Sequence, residues 1–183
     1  MRVATFNILH GRTPGRGVDV QAFADCIRSL DADLLALQEV DVDQPRSARA
    51  DLTAVAADGT LTVAATHLSY VPGWNRYQLR RLSGDLAAFP GPRMVLGDLN
   101  MASRAAQRWS SLRSLAATPT FPAHRPTRQL DHVLTDHPHL RARRCGTPQL
   151  TISDHRPLVV DLDMAAHALT SCDTGKSEEK ADG

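Results

Sequence analysis

Residues 97–100 read GDLN and follow directly on the apolar run RMVL. Side chains alternate along an extended chain, so a strand ending in that run and broken by Gly97 delivers Asp98 and Asn100 to the same side. Gly, Asp and Asn are also what turns prefer for local reasons, so the four letters gain meaning only from their company. That company is polar and regularly placed. Asn7, Glu39, His67, Asp131, Asp154 and His155 all fall at or near the ends of expected strands, and loops at strand ends are where packed sheets place chemistry.

Carboxylates (Glu39, Asp98, Asp154), amides (Asn7, Asn100) and imidazoles (His67, His155), without clustered cysteines, suit a hard divalent cation. Magnesium takes oxygen ligands and keeps several waters, so one or two carboxylates suffice; zinc would call for more His or Cys. Mg2+ or Mn2+ is the expected cofactor. The substrate class such a cation serves best is a phosphate ester, whose charge it neutralises while a side chain orients a water for in-line attack. An aspartate near Asn100 can hold and deprotonate that water, and imidazoles can hydrogen-bond to the phosphate.

The elements that must position these groups follow from periodicity. RVATFNI at 2–8 is expected to be a strand, HGRTPGRG a loop, and residues 19–32 a helix with Phe23, Ile27 and Leu30 at helical spacing and Asp19 as cap. DLLALQEV is a buried strand ending in Gln38 and Glu39. After a polar loop, two alternating runs joined by Asp58 and Gly59 form a hairpin that ends at Thr66 and His67. A helix follows with Leu79, Leu82 and Leu86 on one face, then the strand that leads to Asp98. Residues 103–115 look helical, with Ser103 as cap and Trp109, Leu112 and Leu115 inward. A Pro-rich loop, a short strand carrying Asp131 and His132, a basic edge segment at 141–152 and a final strand after Ser153-Asp154-His155 complete the order.

At 183 residues the chain has room for one domain with a proper core. Residues 1–164 are expected to form it, with a polar, disordered tail at 165–183. Aromatics make up 4%, so the core rests on Val, Leu, Ile and Ala. A net charge of +1 advertises neither nucleic acid nor membrane. The local basic clusters RYQLRR and RARR read first as solvated faces. No run approaches a membrane span, no secretory signal opens the sequence, and three scattered cysteines suggest reduced thiols in a cytoplasmic protein.

Taken in order, TFNILHG, LLALQEV, ATHLS, LGDLN, LDHVL and SDHRPL closely resemble the endonuclease/exonuclease/phosphatase superfamily of metal-dependent hydrolases, over most of residues 1–163. The resemblance implies a four-layer α/β/β/α sandwich of two mixed sheets with the site at one end between them. It implies Glu39 as principal magnesium ligand, with Asn7 and Asp154 at the same metal. It also implies Asp98 as the residue that activates water, Asn100 as its orienting partner, His155 on the scissile phosphate, Asp131 holding that histidine, and His67 donating to the phosphate or leaving group.

Between QEV and ATHLS the sequence is shorter than the family pattern, so part of the first sheet is expected to be missing. Exposed sheet edges would follow, and with them a tendency to self-associate. The expected partner is a phosphate-ester substrate, with nucleic acid among the candidates and Arg76, Arg80 and Arg81 available to line a groove. The alternative expectation is an inactive shortened relative, acting as a binding module or surviving as a gene remnant.

Overall fold

The computed structural model describes residues 1–13, 16–18, 20–40, 54–57 and 61–163. The expectations for the Asp19 cap, the loop at 41–51, the turn at Asp58 and Gly59 and the tail from 165 lie outside those residues. Strand β1 (Arg2–Asn7) leads through a 3-10 turn into a small ribbon, β2 (Arg12–Thr13) and β3 (Arg16–Val18). Helix α1 (Val20–Ser29) and strand β4 (Leu34–Gln38) come next, then β5 (Ala54–Ala57), β6 (Thr62–His67), helix α2 (Trp74–Leu86) and β7 (Arg93–Asp98). The chain continues with helix α3 (Ser103–Ser110), β8 (Arg113–Ser114), β9 (Asp131–Thr135), β10 (Arg141–Gly146) and β11 (Leu158–Asp163).

Two mixed sheets result, one in the order β10-β11-β1-β4 and the other β5-β6-β7-β9-β8. β1 pairs parallel with β4, and β6 parallel with β7; the remaining neighbours are antiparallel. Each parallel pair is joined by a helical crossover, as parallel strands require. Among the described residues β4 is an edge of the first sheet, consistent with the shortening read from the sequence. No helix among the described residues is long and apolar enough to cross a membrane.

Alternation sorts the strand residues into layers. Val3, Ala36, Val63, Met94, Leu96 and Val133 face inward and meet between the sheets. Ala4, Phe6 and Ile8 face out with Leu30 and Ile152, and the partly buried Phe23 and Ile27 of α1 pack there. On the other outer surface Ala64, Val95 and Leu134 lie with Leu79 and Leu86 of α2 and Ala106 of α3. This is the expected four-layer sandwich, with apolar burial on three surfaces supplying its main driving force.

Three local expectations are corrected. The segment after β1 is no plain loop, because Arg12 pairs with Val18 and Thr13 with Arg16 in the β2–β3 ribbon. The helix expected over 103–115 ends at Ser110, whose hydroxyl donates to Ala106 O at 2.7 Å and accepts from Leu112 N–H at 3.0 Å; Ser111 then turns left-handed, at φ 59°. β8 begins two residues later on the edge of β9, and Leu115 joins the inter-sheet core instead of a helix face. Ser103 is the first helical residue rather than the cap; Ala102 holds that position, without a side-chain bond.

Candidate active site

The inward parity of the strands does not stop where the apolar residues stop. On β1 it runs Val3, Thr5, Asn7; on β6 Val63, Ala65, His67; on β7 Met94, Leu96, Asp98; on β9 Val133 and Asp131. Polar side chains therefore take over the inter-sheet layer at one end, where the carboxyl ends of the parallel strands lie together. His67 and Asp98 are register partners across β6 and β7, and Asp98 stands opposite Asp131 across β7 and β9.

Gly97 does not break the strand; β7 runs through it to Asp98. Its φ is +154°, and a Cβ there would lie 1.8 Å from the Thr66 carbonyl oxygen. Glycine is required because β6 and β7 approach too closely for any side chain. Asn100 then reaches the site through a left-handed turn at φ 49° rather than by further extension. Its backbone N–H donates to Asp98 Oδ1 at 2.9 Å, and its amide Nδ2 donates to Leu68 O at 3.0 Å and lies 3.3 Å from His67 Nε2.

Asp98 is the hub. Its Oδ2 accepts from Asn7 Nδ2 at 3.1 Å and lies 3.6 Å from His67 Nε2 and 3.7 Å from His155 Nε2. The residue is 1% exposed. Burial, with the Asp131 charge opposite, pushes its carboxyl up to about 6, against the pull of His155, His67 and the Asn100 N–H. A carboxylate held near neutrality has the affinity for a proton that a general base needs.

His155 Nδ1 lies 2.9 Å from Asp131 Oδ2, and both residues are buried. Its backbone N–H donates to Ser153 Oγ, which donates in turn to Asn7 O at 2.6 Å and ties the loop to β1. The Phe121 ring packs on the imidazole at 4.9 Å between centroids. Burial opposes the charge on His155, but the Asp131 hydrogen bond and the charges of Asp131, Asp98 and Asp154 outweigh it and lift the imidazole to about 9. It is therefore an imidazolium at neutral pH, with Nε2–H turned towards Asp98.

Glu39 lies beyond the end of β4, in a left-handed conformation at φ 56°. Simple alternation after Ala36 and Gln38 would send it outward; the turn instead brings Oε1 to Asn7 Nδ2 at 2.9 Å and to 3.9 Å from His67 Nε2. Asn7 thus joins Glu39 to Asp98. His10 Nε2 lies 3.3 Å from the other Glu39 oxygen. Among the described residues the Asp154 carboxylate makes no hydrogen bond or ion pair, and its charge is felt by His155.

The structure thus brings Asn7, Glu39, His67, Asp98, Asn100, Asp131 and His155 into one hydrogen-bonded or ion-paired group, with Asp154 adjoining it in sequence. Three contributors escaped sequence reasoning. His10 sits in a turn without periodic signal. Asn75, in the first turn of α2, donates to Asn100 O at 3.0 Å and braces the loop. Ser153 read only as part of a polar turn.

Two donor sets could serve a metal ion. Asp98, Asp131 and His155 each place one ligand atom within 4.8 Å of the others. His155 is bound to Asp131 through Nδ1 at 2.9 Å, which leaves Nε2, on the Asp98 side, as its ligand atom. The second is Glu39 with the Asn7 amide bonded to it at 2.9 Å, whose oxygens suit a hard cation.

The chain matches the model of the Endonuclease/Exonuclease/phosphatase family over residues 4–155. Its fold is similar to that of an endonuclease/exonuclease/phosphatase from Beutenbergia cavernae, at TM-score 0.69 and 20% identity, covering 88% of this chain and 71% of the other. A family protein from Bacteroides thetaiotaomicron aligns at TM-score 0.65 and 15% identity over 91% and 96% of the two chains. The human Nocturnin catalytic domain aligns at 0.61 and 17% over 89% and 94%. No curated protein matches the sequence.

Proposed function

The chain belongs to the endonuclease/exonuclease/phosphatase family, whose members are phosphoesterases or nucleases, and from that premise we propose that it hydrolyses phosphate esters with a divalent cation, Mg2+ or Mn2+. The observation that carries the reading is the buried Asp98, fixed by Asn7 and Asn100 and flanked by His67 and an Asp131-bound imidazolium.

In this reading Asp98 takes a proton from the water that attacks phosphorus, and Asn100 holds that water in line. His155 donates from Nε2 to a phosphate oxygen; Asp131 keeps the ring charged and oriented. His67 donates to the phosphate or the leaving oxygen. Glu39 would hold the cation with Asp154, and Asn7 would align the two carboxylates that face it. When bound, the cation would supply charge neutralisation at the phosphate oxygens.

The first test combines turnover and unfolding. Bis(p-nitrophenyl) phosphate and p-nitrophenyl phosphate should be hydrolysed with Mg2+ or Mn2+ and not with chelator. Mg2+ at about a hundred times its Kd should stabilise the fold by about 2.7 kcal/mol, since a ligand stabilises the state that binds it, and Glu39→Gln should remove most of that shift. Mg2+-dependent stabilisation without turnover of either ester, or of longer phosphodiesters, would favour the binding-module alternative.

The pH dependence follows from the same groups. Asp98 must be ionised and His155 protonated. The rate should therefore rise as pH increases through about 6 and fall through about 9. A bell-shaped kcat/KM profile with limbs near those values is expected. A flat acid limb down to pH 4 would remove Asp98 from the role of base.

A further inference from the structure

Two basic clusters on this chain are treated differently by the fold. On β10, Arg143 Nε lies 3.3 Å from Asp163 Oδ2, while Arg141 and Arg144 stand in register with Asp163 and Asp161, the latter bonded to Arg2 at 2.7 Å. On α2 and α3 five arginines are exposed (76, 80, 81, 104 and 108). Of these Arg81 has Asp85 at 3.7 Å, and the other four make no ion pair among the described residues. Arg76 with Arg80, and Arg104 with Arg108, are like-charge pairs four residues apart, an arrangement that weakens a helix. Folding alone gives no reason to gather them.

Two of them meet at a shared feature. Arg80 and Arg108 line a cleft of about 510 Å³ between the two helices, with the hydroxyl residues Ser83, Ser110 and Ser111 and the ring of Trp109. The Arg76 guanidinium lies 5.9 Å from the centre of that ring. Four residues of helix rise ~6 Å, so each helix presents two cations in file, at a spacing comparable to that of successive phosphates along a nucleic-acid strand. The file starts at the active site, because Asn75 in the first turn of α2 is bonded to Asn100 just ahead of α3. Trp74 and Tyr77, stacked at 5.1 Å and 55% and 53% exposed, border a separate hollow with Arg81 and Phe89 on another face of α2.

We propose that the α2–α3 cleft is a binding site for the phosphodiester backbone of single-stranded nucleic acid, with the Trp109 ring as the aromatic face beside its arginines. Guanidinium forks match phosphate oxygens, and a cationic groove bordered by aromatic faces is how single strands are held without sequence preference. The concave cleft suits a strand better than the flat surface of an anionic membrane. Its connection to catalysis, that a strand held here presents a phosphodiester to Asp98, rests on the hydrolase reading above.

The test is anisotropy of a labelled oligo(dT) 20-mer and its RNA counterpart on the full chain in chelator, over a range of salt. Two triple variants that remove equal charge are compared, R76Q/R80Q/R108Q and R141Q/R143Q/R144Q, with unfolding curves confirming that each folds. The first should lose affinity about tenfold or more, and its slope of log K against log salt should flatten by about 2, at ~0.7 per arginine. The second should bind close to wild type. Equal loss in both, no loss in the first, or wild-type binding to phosphatidylserine vesicles but not to oligonucleotide would each overturn the proposal. Turnover of the small esters by wild type is scored separately. Oligonucleotide binding without any turnover would sink the hydrolase reading alone, and turnover without oligonucleotide binding would sink the cleft alone.

Discussion

Asp98→Asn is expected to lower kcat by about 10²–10⁴-fold, the range that general acid–base groups contribute, while the protein keeps its fold. The substitution preserves shape, and an amide oxygen can still accept the Asn100 N–H that Asp98 Oδ1 accepts now. What it removes is the ability to take a proton. Two stability effects oppose each other. The ionised carboxylate is held in the interior at a cost, which is why its pKa stands at about 6, and a neutral amide escapes that cost. Against this, Asn7 Nδ2 would face a second donor where it now meets a carboxylate. The net change should be on the order of 1 kcal/mol, or within about 5 °C in Tm for a chain of this size. Parallel measurement of kcat, KM and Tm checks the assignment. Turnover within tenfold of wild type would mean that another group accepts the proton.

Gly97→Ala should have the largest structural effect of a methyl group added at any described glycine. The new Cβ would sit 1.8 Å from Thr66 O, 2.8 Å from Thr66 C and 3.2 Å from Thr66 N. These are backbone atoms of the paired strand, so no side chain can swing away; β6 and β7 must separate. The next residue on each strand is His67 or Asp98, so the separation reaches the site directly. A cost above about 4 kcal/mol, in the range reserved for overpacking and backbone strain, is expected as a collapse of the urea midpoint and loss of turnover. Gly84 offers the control. It lies exposed in α2 with nothing within 4 Å of an added Cβ, so Gly84→Ala should stabilise by about 0.5–1 kcal/mol. A Gly97→Ala protein with the wild-type midpoint would contradict the close approach of β6 and β7.

The gathering of the candidate site's side chains was legible in the sequence because most of it rides on strand parity. Asn7, His67, Asp98 and Asp131 continue the inward faces of β1, β6, β7 and β9, and period-2 alternation of apolar residues announces such faces without a structure. The order of strands and helices came from the same local patterns, and the sandwich from the resemblance that the ordered motifs carry. Other features needed the tertiary structure, for identifiable reasons. Alternation assigns Glu39 to the outer face; only the left-handed turn after β4 sends it inward to Asn7, and nothing in a glutamate's identity signals a positive φ. Gly97 looked like a strand breaker because glycine has two uses, and the Thr66 carbonyl that makes it a close-approach residue belongs to another strand. Ser110 to Leu115 kept helical spacing, yet pairing with β9 overrode it.

Charge shows the same division. The composition could say that Arg76, Arg80, Arg104 and Arg108 exist, and helical spacing that they share faces. Whether an arginine is neutralised depends on what the neighbouring element brings beside it. β11 brings Asp163 beside Arg143 of β10, and α3 brings more arginine to α2. Local sequence therefore determined which residues this protein can use and which way most of them point, since those follow from periods of two and 3.6 residues. Tertiary structure decided which carboxylate is buried to about 6, which imidazole is held charged, and which cations lack a partner, because those properties arise between segments far apart in the chain.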